Sequence, residues 1–374
     1  MKKYFGLLII STFILTSCAQ KEPIKIGFTA GLTGKNAALG VDGRDGAIIA
    51  VEMLNADGGI DGHPLELVIE DDFGTREGAI AAAQALIDAD VTAVIGHMTS
   101  DAAIASWPQV KDSGMLFLSP TVSTPLLAGI DDNFFRLIVT NAYPAAGLAQ
   151  YAQEELGLEK IAIFYDQDNF AYTGTFRDGF ATPFLNYGGE IVDSYQFYSS
   201  QSPDFTPMLQ EAQAAGADGI FVIASAVDTA LLAQQARLIN FDVQILATNW
   251  SFTDDLIQNG GQAVENITTV VSHDENNRSP EYVAFQQQFI ERFGRTPTFS
   301  AGYGYEAVVV LAEALQKTNG EKEGLSNALL EINNFSGIHG KITFDPYGDV
   351  KRTLYLITIH DGEMKTLRTM DILK

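Results

Sequence analysis

From residue 24 onward the apolar positions alternate between two patterns. Short, nearly continuous runs, IKIGF (24–28), LELVI (65–69), AVIG (93–96) and MLFLS (115–119), read as buried strands. Between them apolar residues recur at helical spacing, as at Ala47, Ile48, Val51 and Leu54, and again at Ala79, Ile80, Ala83, Leu86 and Ile87. Strands apolar on both faces, separated by amphipathic helices, require a parallel sheet covered on both sides. A second series follows Tyr143: a helix to about Leu156, KIAIFY (160–165), a helix through Phe180 and Phe184, and EIVDSY (190–195). It continues with GIFVIA (219–224), a helix from Ala230 to Leu238, and VQILAT (243–248). Two such series predict an α/β protein with two doubly wound parallel-sheet lobes. Helices over 280–293 and 303–317 and strands KITF (341–344) and TLYLITI (353–359) are left for one lobe or the other to absorb. No solenoid period and no low-complexity run interrupts the pattern.

Composition supports this size of fold: 374 residues with 46% hydrophobic and 19% charged positions suit a bilobal unit with a sizeable core. With 47 acidic against 23 basic residues, the net charge of -24 repels polyanions, which excludes nucleic acid as the partner. The start, MKKYFGLLIISTFILTSC, has Lys2 and Lys3 ahead of an apolar run too short and wrongly flanked for a membrane span, and reads as an export signal. Its end, Leu15, Thr16, Ser17 and then the sole cysteine Cys18, resembles a bacterial lipoprotein lipobox. That resemblance implies cleavage of residues 1–17, lipidation of Cys18, and a short tether over 18–23 holding an exported protein to a membrane. An ordinary signal peptide with a chance cysteine is the plainer alternative. With Cys18 so used, the mature chain has no cysteine for a disulfide, thiolate metal site or nucleophile.

The densest polar block, NADGGIDGHPLELVIEDDFG (55–74), fails as a calcium loop. Counted from Asp57, the third position is Gly59 and the twelfth Val68, where ligands are needed. Glu70, Asp71 and Asp72 at the end of a predicted strand read as turn acids ahead of the next helix, with acid/base work at a strand C-terminus as the alternative. GLTGK (31–35) lacks the spacing and the Ser or Thr of a phosphate loop, and no GxGxxG or GxSxG is present. His63, His97, His273, His339 and His360 lack zinc-ligand spacing. The chain is therefore expected to be no enzyme and to need no metal or cofactor. What remains is a pair of hydroxyl-rich loops at strand ends: GHMTSDAAIA (96–105), with Thr99, Ser100 and Asp101, and LSPTVSTP (118–125), with Ser119, Thr121, Ser123 and Thr124. Such residues cap helices, and on neighbouring strands they also converge on an anion such as a carboxylate.

The blocks NADGGIDGHPLELVIEDDFGTREGAIAAAQALI, VTAVIGHMTS, LFLSPTVSTP, FGRTPTFSAGYGYEAVVVLAEAL and ITFDPYGD run in order over nearly the whole mature chain. They resemble the branched-chain amino-acid (Leu/Ile/Val) binding protein family, type I periplasmic substrate-binding proteins of ABC importers. The resemblance implies two α/β lobes joined by three crossings near Thr140, Ser272 and Asp349. Lobe 1 would hold 24–140 plus 273–348, and lobe 2 would hold 141–272 plus 349–374. It implies that Ser100, Thr121 and Ser123 hold a ligand carboxylate, and that Phe170, or Tyr172 as a shifted alternative, walls the side chain. Leu39 falls at a pocket-facing position that is aromatic in some relatives. The departure is at the ammonium site, where the family's Glu is matched by Asn249, followed by Trp250. An amide does not neutralise a buried ammonium, and an unpaired buried charge costs about 3 to 5 kcal/mol. Asp228, at the start of the helix after GIFVIASAV, is the proposed substitute, with a plain N-cap as its alternative role. Trp250 suits packing on the ligand body.

The expected protein is thus a lipid-anchored, monomeric, extracytoplasmic receptor. It captures a small carboxylate-bearing ligand, an amino acid with a branched-chain or other apolar side chain, for an ABC permease. Alternatives are a sensor of the same fold signalling to a membrane receptor, and a binder of an amide, urea or an organic acid without ammonium.

Overall fold

The computed structural model describes residues 21–35 and 37–370. The export signal and Cys18 lie outside them. Hydrophobic runs become strands where the periodicity expects them. The first series is β1 (Ile24–Ala30), α1 (Ala38–Ala56), β2 (Leu65–Asp71), α2 (Arg76–Asp88), β3 (Ala93–Ile95), α3 (Ser100–Ser113), β4 (Phe117–Ser119) and β5 (Phe134–Arg136). The second is α4 (Ala142–Glu154), β6 (Lys160–Asp166), α5 (Phe170–Asn186), β7 (Glu190–Phe197), α6 (Thr206–Ala214), β8 (Gly219–Ile223), α7 (Ala226–Leu238), β9 (Gln244–Ala247), α8 (Asp254–Gly260) and β10 (Thr268–Val271). After these come α9 (Pro280–Phe293), α10 (Phe299–Lys317), α11 (Leu325–Leu330), a small hairpin of β11 (Phe335–Gly337) and β12 (Gly340–Ile342), and a long one of β13 (Leu354–His360) and β14 (Glu363–Met370).

The first sheet has the order β2-β1-β3-β4-β5, and all of its pairings are parallel. The second runs β14-β13-β10-β9-β8-β6-β7, so its parallel part, β7-β6-β8-β9-β10, repeats the order of the first, and the β13–β14 hairpin adds an antiparallel edge. Strand order therefore reverses beside β1 and again beside β6. In open α/β sheets the crevice beyond the strand C-termini at such a switch point is where ligands bind. The loops after β1, β3, β6 and β8 are thereby placed to build a site.

The late elements complete both cores. Phe299, Tyr303, Val308 and Leu311 of α10 pack with Ile26 and Phe28 of β1 and with Ala47 and Ala50 of α1. Leu354, Leu356 and Met370 of the last hairpin pack instead with Ile163 and Phe221 of the second sheet. The approach of α1 to α10 depends on glycine. A Cβ at Gly46 would lie 1.9 Å from the Ala301 carbonyl oxygen, and one at Gly304 2.0 Å from that of Gly43. Helix α10 also ties down the chain where it passes between the sheets. The Tyr303 hydroxyl meets Ser272 Oγ at 2.8 Å, and Glu306 Oε2 accepts from Arg352 Nη2 at 2.7 Å. Arg352 Nε in turn donates to the Leu137 carbonyl at 2.6 Å.

Several elements escape the hydrophobic pattern. Three-residue β5 is too short to show a period, and the threonines of β10 hide a fully buried strand. KITF (341–344) yields only β12 of a small hairpin, and β14 (EMKTLRTM) is an edge strand whose exposed positions are polar apart from Leu367.

Candidate functional site

The loops after β3 and β4 are laced together by the hydroxyls that mark them in the sequence. Thr121 Oγ1 donates to the Met98 carbonyl at 2.6 Å and Ser119 Oγ to that of His97 at 2.9 Å, while Ser100 Oγ accepts the Thr124 amide at 3.3 Å. Beneath them, buried His97 pairs through Nδ1 with buried Asp72 at 2.7 Å. Asp71 receives the Leu32 amide at 2.8 Å and the Thr33 hydroxyl at 2.7 Å. The acids closing β2 thus hold neighbouring loops in shape. Buried Arg136 supports the same platform from below, donating to the Thr124 carbonyl at 2.8 Å and pairing with Asp349 at 2.6 Å.

Above this platform, between the two sheets, lies a narrow pocket of about 20 Å³. Ser100, Thr121, Leu39 and Phe299 line it from one side, Tyr172, Asn169, Asn249 and Trp250 from the other. Ser100 opens the 14-residue α3, and Thr99 before it makes no side-chain cap bond, while Asn169 Oδ1 takes the Asp101 amide; Thr99 and Ser100 bring the N-terminus of the helix to this space. The Tyr172 hydroxyl donates to Asn249 Oδ1 at 2.9 Å, and its ring meets Trp250 edge-on with centroids 5.8 Å apart. Burial pushes the Tyr172 phenol well above its ordinary value, so it serves as a neutral donor. The pocket opens into two larger cavities, one of about 430 Å³ reaching Asp166 and Asn169, the other of about 600 Å³ reaching Asp42, Asp254 and Arg295; Leu39 and Trp250 border all three.

Five of the residues singled out in the sequence therefore meet: Ser100, Thr121, Tyr172, Asn249 and Trp250. Three do not. Ser123 is buried behind the loop, its carbonyl taken by the Asn141 amide at 2.8 Å. Phe170, the first residue of α5, turns outward, 45% exposed against Tyr165 and over Gly174, which leaves Tyr172 to supply the aromatic wall. Asp228 does not face the pocket either. Fully buried, it accepts the Lys35 ammonium at 2.7 Å through Oδ1, and through Oδ2 the Ser199 and Ser225 hydroxyls. It does hold an ammonium, but one supplied by the chain itself. It is also partly the N-terminal acid of its own helix, its amide bonded at 3.4 Å to the capping Ser225.

Lys35, Asp166, Asn169 and Phe299 were not singled out as site residues from sequence. Lys35 sits in the GLTGK stretch, whose failed phosphate-loop pattern gave no reason to link it to Asp228, 193 positions away. Asn169 Oδ1 accepts the Asp101 amide at 3.1 Å, a second bond between the two halves. Asp166 closes β6 with no exposure; its Oδ1 accepts the amides of Asp168 at 3.0 Å and Ser199 at 3.1 Å, while its Oδ2 is buried without a partner among the described residues. Burial, with added repulsion from Asp168 and Asp228, pushes its carboxyl up to about 6.

Two lobes of matched topology, with a polar-floored, aromatic-walled pocket at both switch points, define a protein of the two-lobed solute receptor class. Comparison with known proteins agrees. A family model described as periplasmic binding protein matches residues 23–363, and the chain belongs to that family. The family is one of extracytoplasmic substrate-binding receptors rather than of enzymes. The chain is 24% identical to a leucine-, isoleucine-, valine-, threonine- and alanine-binding protein of Pseudomonas aeruginosa, over 99% of this chain and 97% of that one. Among solved structures, a leucine binding protein LivK from Thermotoga maritima superposes with a TM-score of 0.86 at 25% identity, covering 93% of this chain and 99% of the other. The substrate-binding protein LivJ from Streptococcus pneumoniae, in complex with isoleucine, gives a TM-score of 0.83 at 25% identity, covering 93% and 100%. Among the described residues no helix is long and apolar enough to cross a membrane.

Proposed function

We propose that this protein captures a small carboxylate-bearing solute, an amino acid with an apolar side chain, and delivers it to an ABC permease while tethered to a membrane through lipidated Cys18. The observation that carries the reading is the meeting of Ser100, Thr121 and the N-terminus of α3 opposite Tyr172 and Trp250. Hydroxyls and helix N-terminal amides solvate a carboxylate without a buried counter-ion, and the aromatic faces pack on an apolar side chain. The amino-acid ligands named for the Pseudomonas and Streptococcus relatives support the same class. Residues 24–140 with 273–348, and 141–272 with 349–374, are the two bodies that close on the ligand. A hydrogen bond to a charged group contributes about 1.5 to 3 kcal/mol, so Ser100→Ala is expected to weaken amino-acid binding roughly ten- to a hundredfold with the melting curve of the free protein unchanged. Calorimetric titration of wild type and variant checks this; equal affinities would move the carboxylate elsewhere. The anchor has its own test: Cys18→Ala is expected to lose fatty-acid labelling and leave the membrane fraction.

A second reading, an organic acid without ammonium, draws on one observation: among the described residues no acidic or basic side chain lines the narrow pocket. Titrating each amino acid against its des-amino analogue separates the two readings.

A further inference from the structure

An amino-acid ligand brings an ammonium group that Asn249 does not neutralise, so an acid must lie within its reach. The acids around the cleft are accounted for one by one. Asp228 is occupied by Lys35 and two serines. Asp101 accepts Arg76 at 2.7 Å through Oδ2 and the Ala171 amide at 3.4 Å through Oδ1. Asp168 Oδ2 accepts the Ser200 amide at 2.7 Å, and Asp42 is paired with Arg295 and Thr298. Asp254 and Asp255 sit where water reaches the wide cavity. Asp166 differs from all of these: it lines the 430 Å³ cavity, is fully buried, and carries an oxygen without a partner among the described residues. Buried polar groups are satisfied as a rule, and an orphaned carboxylate oxygen buried in the wall of a cavity calls for a cationic or donor partner.

We infer that Asp166 Oδ2 receives the α-ammonium of the ligand and so replaces the missing acid at Asn249. The inference rests on the amino-acid reading above. The geometry is continuous: Met98, Thr99, Asn169 and Trp250 border both the narrow pocket and the Asp166 cavity. A ligand with its carboxylate at Ser100 and Thr121 places its ammonium toward Asp166 across Asn169, and its side chain against Trp250 and Leu39. Asp166 Oδ1 stays with the Asp168 and Ser199 amides and fixes the orientation of the carboxylate. The groups that set its charge are Asp168 on its own turn, Asp228 on α7 and, through Asp228, Lys35 from the facing lobe.

The test titrates wild type and Asp166→Asn with leucine, isoleucine, valine and phenylalanine, and with the des-amino acids 4-methylpentanoate and 3-phenylpropanoate. Asparagine keeps the acceptor that Oδ1 provides, so the fold is retained. The expected result is a loss of at least thirtyfold in amino-acid affinity in the variant, with des-amino acids changed less than threefold. Unchanged amino-acid affinity in Asp166→Asn overturns the assignment. A wild type that binds the des-amino acids but no amino acid also overturns it while leaving the carboxylate site standing. A wild type that binds no carboxylate at all removes the parent reading together with this one. A measurement on the wild type alone guards against a variant that does not fold. Near pH 6, about half of Asp166 is protonated in the free protein, so amino-acid binding titrated in two buffers of different ionisation enthalpy is expected to release about half a proton.

Discussion

At the residue scale, the legible part of the site is the part built from local chemistry. Ser100 and Thr121 stand out because hydroxyls cluster after two successive apolar strands, where they cap helices or converge on an anion, and the pocket brings them together. Ser123 carries the same signal yet lies behind the loop, because a sequence shows that a hydroxyl sits at a strand end but not which way the loop turns. Asp166 was invisible for another reason: an Asp closing a strand ordinarily reads as a turn residue, and its unpartnered oxygen exists only once β7 and α7 close around it. Its raised value has a stability consequence of definite sign. A carboxyl held near 6 in the folded chain and at the ordinary 3.8 when unfolded binds its proton more tightly when folded. It therefore costs nothing at low pH, and the cost grows as pH rises from about 4 through about 6. Two units correspond to about 3 kcal/mol as an upper figure. Asp166→Asn is accordingly expected to stabilise the unliganded protein by about 1 to 3 kcal/mol at pH 7.5 and hardly at all at pH 4. Urea unfolding at the two pH values measures both quantities, and a variant no more stable than wild type at pH 7.5 would contradict the sign.

At the element scale, the strands of both parallel sheets follow from unbroken apolar runs, and the helices from their spacing. The elements that escaped, β5, β10 and β14, are short, threonine-rich or at a sheet edge, where the apolar signal is weak in physical fact. Helix α10 shows what an element contributes beyond its own period. Its apolar face covers the first sheet, its glycines admit α1, and its polar residues hold the connections between lobes through Ser272 and Arg352. The Glu306–Arg352 pair is almost wholly buried, with 2% and 1% side-chain exposure. Removing one member leaves the other charge in the interior, at a cost of about 3 to 5 kcal/mol. Arg352→Met is expected to show that loss in urea unfolding at pH 7.5; a change under about 1 kcal/mol would mean that Glu306 takes up a proton or water without penalty.

At the scale of the whole molecule, two lobes of one topology meet across a cleft whose walls touch, among the described residues, through polar bonds such as Lys35 with Asp228 and Ser199, and Asn169 and Ala171 with Asp101. A ligand that contacts both walls shifts the population toward closure, and so does any bond made only when the lobes are together. The Lys35 side chain is one-third exposed, so its pair with buried Asp228 is a moderate contribution. Lys35→Met is expected to lower amino-acid affinity by about 3- to 30-fold, by reducing the closed fraction. Small-angle scattering checks this through a larger radius of gyration in the unliganded variant than in wild type, converging when ligand saturates both. Identical scattering and affinity would remove this pair from the closing mechanism. The pairing of Lys35 with Asp228 was not legible in the sequence, since it joins two lobes through a residue of a failed phosphate-loop pattern and one that also reads as a helix cap.

The central claim is that Ser100 and Thr121, at the start of α3, hold the carboxylate of an amino acid clamped between the lobes. Calorimetric titration of the wild type with each of the twenty amino acids, repeated with Ser100→Ala, addresses it most directly. The account predicts saturable binding of one ligand per chain for at least one apolar amino acid, weakened tenfold or more in the variant. Absence of saturable heat with every amino acid, or affinity unaffected by Ser100→Ala, would contradict it.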